Sequence, residues 1–499
     1  MMSPQKLLSL LFAFLLSLPC SSQTQPKREF RGAWIHVIGQ GQYAAMSVDQ
    51  MQRYFIQMLD SFQVYHINAL IFQVRPTADA FYYSELEPWS RYLTGVQGQA
   101  PVGNFDPMAF LIDECHRRNI EFHAWLNPYR VTASAKDKLH PSHIYYRHPE
   151  WFVKYGNQIY FDPGLPESRE FICQVVQDIL NRYDVDAIHA DDYFYPYPIA
   201  GEKFPDDKSF NQYAAAQGFS SNERGDWRRN NVNLLIHEIK RTILRSKPWV
   251  RFGISPFGIY RNKRSTPDGS GSQTKGLQNY DDLYADIKLW VEKGWIDYNL
   301  PQLYWEVGHA SADYETLVRW WNENNCGAQL YIGQDVDRTM KASDLTQKME
   351  LERSLPAVHG HCFWPGYELL KNNRGVADSL KNHYQTYPAL IPAYTHLCDR
   401  APEDIKSLKA EWMPGGYFLH WKRNGDPANP QKAQYYVVYR FDNKEKVNLD
   451  DPSKIRTTTR ETQYFLPYRN GKIKYKYVVT SVDRFHNESK KGKSKTIKL

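Results

Sequence analysis

Residues 187–198 read AIHADDYFYPYP, an apolar run that ends in two adjacent carboxylates, four aromatic residues and two prolines. Carboxylates are costly to bury without partners, so a pair placed where a strand runs out calls for a chemical use. Proton transfer fits. Aromatic neighbours strip water from a carboxyl group and raise its pKa towards neutrality, where it can act as an acid. Cleavage of a glycosidic bond generally takes two carboxyl groups on either side of the bond, one an acid and the other a base or nucleophile. Neighbours on a strand point to opposite faces, so Asp191 and Asp192 are not expected to flank the bond together. One works and the other orients it or fixes a loop. The expected second carboxylate is Glu306, with Asp335 a weaker candidate. The plainer alternative is that Asp191 and Asp192 cap a helix or bind a backbone turn, and that Glu306 is a surface residue.

Such a pair needs a scaffold, and the chain offers eight short apolar runs. They are FRGAWIHV from Phe30, ALIFQVRP from Ala69, FHAWLNPYR from Phe122 and VDAIHADD from Val185, then VRFGISPFG from Val250, YNLPQLYW from Tyr298, AQLYIGQD from Ala328 and GHCFWPGY from Gly360. Each ends in polar or aromatic residues, as fully buried parallel strands do. Helix-like segments lie between them at 48–62, 107–118, 167–183, 226–245, 280–293 and 314–324, and two more follow at 343–355 and 376–384. Asp226 is expected to cap its helix and Pro166 to sit near the start of another. A strand followed by a helix eight times over residues 28–388 predicts an α/β chain with a (β/α)8 TIM-type barrel and long loops. An open doubly wound sheet is the alternative, disfavoured because no glycine-rich phosphate loop follows the first strand.

A barrel keeps its active site at the C-terminal ends of its strands. Those ends offer Gln73, Arg75, Asn127, Tyr129, Arg130, His189, Tyr193, Ser255, Tyr260, Gln302, Tyr304, Trp305, Gln334, His361, Trp364 and Tyr367 around the acids. This is a sugar-binding inventory: amides, arginines and carboxylates bond hydroxyls, and aromatic rings pack on sugar faces. Other chemistries lack their motifs, since HExxH, CxxC, a P-loop and GxSxG are all absent. His189 and Asp191 have metal-ligand spacing, but no second histidine joins them nearby. Neither a metal nor a cofactor is expected. Ser255, in GISPFG, has no obvious histidine partner in the sequence.

After Pro388 the pattern changes. YFLHWKR, QYYVVYRF, TQYFLPY and YKYVVTSVD recur with turn-rich gaps, which predicts a small immunoglobulin-like β-sandwich over residues 396–499. ALIPAYTH reads as the linker. Residues 400–499 hold 22 Lys and Arg against 11 Asp and Glu, so the basic excess of the chain lies there. It predicts an anionic partner or a merely solvated basic surface. At the other end, MMSPQKLLSLLFAFLLSLPCSSQ has one lysine and then an apolar run too short to span a bilayer. Residues 1–22 therefore read as a signal peptide, with a lipid anchor at Cys20 the less favoured alternative because Pro19 precedes it. An exported protein, periplasmic or associated with the cell envelope, is expected. Cys115, Cys173, Cys326, Cys362 and Cys398 are odd in number and widely spaced, which suits neither a disulfide framework nor a zinc site.

Seven of these stretches, FRGAWIHV, IFQVRP, FHAWLNPYR, YFDPGLPESREFI, DAIHADDYFYPYP, GISPFGIYRN and LPQLYWE, resemble the motifs of glycosyl-hydrolase-like family 10. The likeness spans residues 28–385. YYVVYRF and YVVTSVDRFHNES resemble the fibronectin type III domain often appended to that family. The resemblance implies an exported barrel glycosidase that cuts glycan strands of the bacterial cell wall, including peptidoglycan freed of its stem peptides. It implies that Asp191, Asp192 and Tyr193 form the central motif, with Asp192 as the acid. It places Glu306, with Gln302 and Tyr304, on the pattern after the sixth strand, as a catalytic or a substrate-contacting residue. Arg75, Asn127 and Tyr129 are implied to line the site, and His189, Tyr260 and Trp364 are expected to bind substrate with them. A fainter likeness ties DAIHADDYFYP to the fourth-strand motif of chitinase-like enzymes, in which the substrate's own acetamido group is the nucleophile. There Asp192 protonates the leaving oxygen and Asp191 steadies the acetamido group. The rival readings are a non-catalytic glycan-binding envelope protein and a glycosidase acting on another polysaccharide. No nucleic-acid partner is expected.

Overall fold

The computed structural model describes residues 25–499 except 135, 326, 426–428 and 430. The expected signal peptide with Cys20, and Cys326, lie outside the described residues. Eight parallel strands close into a barrel: β1 (Phe30–Ile35), β2 (Ala69–Arg75), β3 (Glu121–Leu126), β4 (Ala187–Ala190), β5 (Arg251–Ile254), β6 (Tyr298–Asn299), β7 (Gln329–Asp335) and β8 (Val358–Trp364). Each strand pairs with its sequence neighbours, and β1 pairs with β8, Phe30 opposite Gly360. These are the eight strands expected from the apolar runs, and every residue of β1 to β6 is buried.

The helices form for local reasons. In Val48–Val64 the buried Met51, Phe55, Met58, Leu59 and Phe62 recur at helical spacing, and Ser47 with Gln50 makes a reciprocal cap. Pro107 and Pro166 occupy first-turn positions, where a missing N–H costs nothing. Asp226 lies inside the first turn of Arg224–Ser246 instead of capping it. The single helix expected over 280–293 is two, Asn279–Asp282 and Ile287–Glu292. Tyr284 between them adopts φ +56°, and the Asp286 side chain starts the second by accepting from Leu289 N. The segment 376–384 begins as Val376–Ser379 and ends in a wider turn, Leu380–Tyr384. An antiparallel hairpin, Phe152–Tyr155 with Gln158–Phe161, and two short helices, Asp207–Tyr213 and Val336–Ala342, were not legible in the sequence.

The two ends of the barrel differ in their loops. At the strand N-termini the connections are tight turns, 65–68, 118–120, 183–186 and 247–250. At the C-termini they run long, 76–106 after β2, 127–165 after β3 and 191–223 after β4. The long loops build a cleft, and the short ones leave a flat base.

The last hundred residues fold as two antiparallel sheets. One holds Ser407–Met413, Gly416–Lys422 and Gln463–Pro467. The other holds Ile455–Thr459, Tyr435–Asp442, Lys474–Val482 and Lys493–Lys498. Leu419, Trp421, Tyr436, Val438, Tyr477 and Val479 fill the space between them. This sandwich sits on the base of the barrel. His486 Nε2 meets Glu121 Oε1 at 2.8 Å, Arg460 pairs with Asp186 at 3.4 Å and Arg484 with Asp184 at 3.1 Å. Part of the basic surplus thus meets its counter-charge within the chain. Cys115, Cys173, Cys362 and Cys398 are free thiols. Among the described residues no helix is long and apolar enough to cross a membrane, and no group of His, Cys, Asp and Glu could hold a metal ion.

Candidate active site

β4 ends at Ala190, so Asp191 and Asp192 belong to the turn beyond it. Strand alternation no longer applies there, and both side chains face one cleft, contrary to the opposite-face expectation. They are nearly sealed, at 3% and 2% exposure. The cleft has a volume of about 460 Å³, inside the roughly 300–1,000 Å³ span of ligand sites.

Two aromatic walls flank the acids. On one, the rings of Tyr304 and Trp364 lie nearly parallel with centroids 6.5 Å apart, and Trp34 stands edge-on to both. On the other, Tyr193 stacks on Tyr197 at 5.2 Å, and Phe257 bridges Tyr197 to Trp305. Arg130 covers Tyr193 at 5.1 Å, and Arg338 brings a second guanidinium to the rim.

A wired set of amides holds Asp191. Gln73 Oε1 accepts from Val37 N at 2.9 Å and Ile38 N at 3.3 Å, so its amide nitrogen must point the other way. That nitrogen donates to Asn127 Oδ1 at 2.6 Å, which turns Asn127 Nδ2 onto Asp191 Oδ2. Trp125 Nε1 donates to the same oxygen at 3.2 Å and Tyr193 N to Oδ1 at 3.3 Å. Every partner of Asp191 is therefore a donor. Asp192 differs: Gln302 Nε2 donates to Oδ1 at 3.2 Å, but Oδ2 meets the Tyr197 hydroxyl, which can donate or accept.

Burial first, and then the neighbouring Asp192, push Asp191 up to about 7. Burial pushes Asp192 up as well, against the donors Tyr197 and Gln302. Two adjacent carboxylates out of water cannot both ionise cheaply, so near neutrality the pair retains one proton. On Asp191 that proton would face only donors. On Asp192 it can be given to Tyr197 Oη. The pair therefore shares one proton, and Asp192 is the member whose partner, the Tyr197 hydroxyl, can turn to accept it.

Of the residues singled out from the sequence, Asp191, Asp192, Tyr193, Gln302, Tyr304 and Trp364 line the cleft, with Gln73, Arg130, Ser255 and Trp305. Four lie behind the wall. Asn127 holds Asp191, and His189 is buried beneath Ser255. Arg75 is clasped by Glu87 at 2.6 Å and bonds the carbonyls of Asn127 and Pro128, which fixes the exit of β3. Tyr129 is fully buried, its carbonyl accepting from Phe161 N of the hairpin. Four lie elsewhere. Tyr260 donates to Asp286 and stacks on Trp320. Glu306 is half-buried off the cleft wall, its carbonyl tying back to His309 N and Tyr314 N. Asp335 caps Val336–Ala342 by accepting from Arg338 N at 2.8 Å. His361 turns from the cleft to Glu352 and Gln385. Among the described residues the cleft wall carries no carboxylate besides Asp191 and Asp192.

Sequence reasoning missed Trp34, His36 and Ile38 at the exit of β1, Trp125 within β3, and Phe257. Trp34 and Trp125 sit in apolar runs and read as core. Their signal was an indole, with an N–H to satisfy, in a strand that otherwise reads as interior.

A family model described as glycosyl hydrolase-like 10 matches residues 29–349. Glycosyl hydrolase YngK of Bacillus subtilis (strain 168) is 41% identical, over 97% of this chain and 96% of that protein. Glycosyl hydrolase DigH of Escherichia coli (strain K12) is 35% identical, over 64% of this chain and 75% of that protein. Among solved structures, the PgaB (BpsB) glycoside hydrolase domain from Bordetella bronchiseptica matches 72% of this chain and 99% of its own, with a TM-score of 0.47 and 10% identity.

Proposed function

The chain belongs to the glycosyl hydrolase-like 10 family and is a glycoside hydrolase, and on that premise we propose that it is exported and cuts peptidoglycan glycan strands lacking stem peptides. The observation that carries the reading is the pair of adjacent, buried carboxylates Asp191 and Asp192 in one cleft, with no third carboxylate on the described cleft wall. A pair on one side of the bond does not suit the flanking geometry of two-carboxylate glycosidases. It suits substrate assistance. Asp192 gives its proton to the leaving oxygen, and the 2-acetamido oxygen of the same sugar attacks its own anomeric carbon, closing an oxazolinium ring as the C1–O bond to the leaving group breaks. Ionised Asp191 accepts the acetamido N–H and stabilises the positive charge that grows there. Water then opens the oxazolinium ring, and Asp192 takes the proton back.

The parallel Tyr304 and Trp364 faces give pyranose rings a surface, and Tyr193 and Tyr197 hold water away from the acid. Stem-peptide-free strands have no bulky peptide to pass between the aromatic walls, and they carry the acetamido group the pair requires. Export is supported by the signal-like residues 1–22. The sandwich is read as fibronectin type III-like, supported by its three- and four-stranded antiparallel sheets.

The test is incubation of the purified chain with glycan strands with and without stem peptides, beside chitin and α-glucan oligomers, followed by mass spectrometry. Disaccharide products from the peptide-free strands, absent with Asp192→Asn, are expected. Cleavage of another glycan alone overturns the wall assignment.

A further inference from the structure

A line of buried polar side chains runs through the barrel from base to cleft. Glu121, at the base, is held by Arg251 and by His486 of the sandwich, and its Oε2 lies 3.0 Å from His123 Nε2. His123 Nδ1 lies 2.8 Å from Tyr298 Oη, and Tyr298 Oη lies 2.9 Å from His189 Nδ1. His189 Nε2 lies 2.9 Å from Ser255 Oγ, on the cleft wall, and 3.5 Å from Trp34 Nε1. This supplies the histidine partner for Ser255 that the sequence did not reveal.

The protons along this line have one consistent order. Trp34 Nε1–H can only donate, so His189 Nε2 is an acceptor. Nδ1 of His189 then carries the proton and donates to Tyr298 Oη. Tyr298 donates onward to His123 Nδ1, and His123 Nε2–H donates to Glu121. Read from the other end, the Glu121 carboxylate can only accept, which sets the same order. In the reverse order His189 Nε2–H would point at the Trp34 N–H. The two ends agree, and Ser255 Oγ–H must donate to His189.

The arrangement has the form of a serine activated by a histidine. That role would need His189 to become an imidazolium, and burial, then nearby His123, holds its pKa well below the usual histidine value. Ser255 has its proton turned inward and only lone pairs facing the cleft. Its backbone carbonyl and Asp192 Oδ1 share the amide of Gln302, at 2.8 and 3.2 Å, which places Ser255 next to the acid.

We infer that Ser255 is a fixed hydrogen-bond acceptor that selects for a substrate group able to donate, an amide N–H or a hydroxyl, beside Asp192. The selection of a sugar group rests on the glycan reading of the cleft, whereas the acceptor state does not. Neutron diffraction of the full chain tests the state without substrate. Deuterium is expected on His189 Nδ1 and on Ser255 Oγ directed at His189 Nε2; deuterium on His189 Nε2, or a Ser255 O–D aimed into the cleft, overturns it. Calorimetric binding of N,N′,N″-triacetylchitotriose and cellotriose to wild type and Ser255→Ala tests the selection. A rise in Kd of about 3- to 10-fold in Ser255→Ala is expected for the acetylated trimer, the size of one hydrogen bond. An unchanged cellotriose affinity assigns the contact to the amide, and an equal loss for both trimers assigns it to a hydroxyl. Unchanged affinity for both, or a wild type that binds neither, overturns the selection. Absence of turnover on peptide-free strands defeats the proposed function alone and leaves these two measurements decisive for Ser255.

Discussion

The two ends of this barrel both bury carboxylates, and they treat them in opposite ways. At the base, Glu29 is gripped by Arg31 and Arg353, Glu121 by Arg251 and His486, and Asp297 by Lys240 at 2.6 Å. Burial pushes each carboxyl up, but the cations outweigh it, so Glu29 falls to about 2 and Glu121 and Asp297 also lie below the usual range. At the cleft, Asp191 and Asp192 have no ion-pair partner among the described residues; neutral donors hold them, the more distant Arg130 lowers both, and burial wins. The same residue type becomes a structural anion at one end and, in the proposed function, a proton donor at the other. The deciding variable is whether a cation is placed within contact distance. The loops follow the same division. At the base, cations from strands, from the surrounding helices and from the sandwich reach the acids, whereas the long loops of the other end bring aromatic rings.

The strongest way to break this comparison is at the acid. Asp192→Asn removes the transferable proton while keeping the shape, and turnover should fall by about 10³-fold or more. Folding should be unchanged by circular dichroism. Turnover within tenfold of wild type would show that the proton comes from elsewhere. At the base the loss should be one of stability. Asp297→Asn leaves Lys240 buried without its counter-charge, which costs about 3–5 kcal/mol. Urea unfolding should register this, while kcat well below the melting temperature stays as in the wild type.

pH should separate the two ends by sign. The Asp191–Asp192 pair is raised, so its proton is present at low pH and lost as pH rises through about 7. The alkaline limb of kcat/KM should therefore fall there. Glu29 is lowered from 4.5 to about 2, so its contribution to stability is present above 4.5 and lost as pH falls towards 2. The shift corresponds to on the order of 3 kcal/mol, and melting temperatures taken from pH 5 to pH 2 should drop accordingly. A flat profile in either measurement removes that half of the contrast. The smallest expected effect is at the wall. Trp364→Ala should raise KM about 3- to 10-fold through the lost ring face, with kcat little changed.

The strands and the central acids were legible because both are local. An apolar run ending in polar residues marks a strand and its exit, and ADDYFYPYP marks an exit that carries two adjacent acids among aromatic residues. Glu306 and Asp335 lie off the cleft wall for a related reason. A strand end in sequence does not say whether the next residue turns into the barrel or out into a helix, and Asp335 spends its carboxylate on the Arg338 N–H of the helix that follows. Arg75 and Tyr129 were placed at the right end of the barrel but one layer too shallow. Trp34 and Trp125 were missed because an indole in an apolar strand looks the same whether it faces the core or the cleft.

Sequence alone determined that this is an eightfold strand-and-helix chain with a β-rich tail, and that Asp191 and Asp192 stand at the end of the fourth strand. Periodicity, composition and adjacency are properties of neighbouring residues, and they survive without a fold. Only the tertiary structure decided that both acids share one cleft and that Gln73 turns Asn127 onto Asp191. It alone brought His189 under Ser255 and seated the tail's cations on the barrel's base acids. These are contacts between residues 50 to several hundred positions apart. Closure of the barrel makes them, because only closure fixes which side chains share a layer and therefore which donor meets which acceptor.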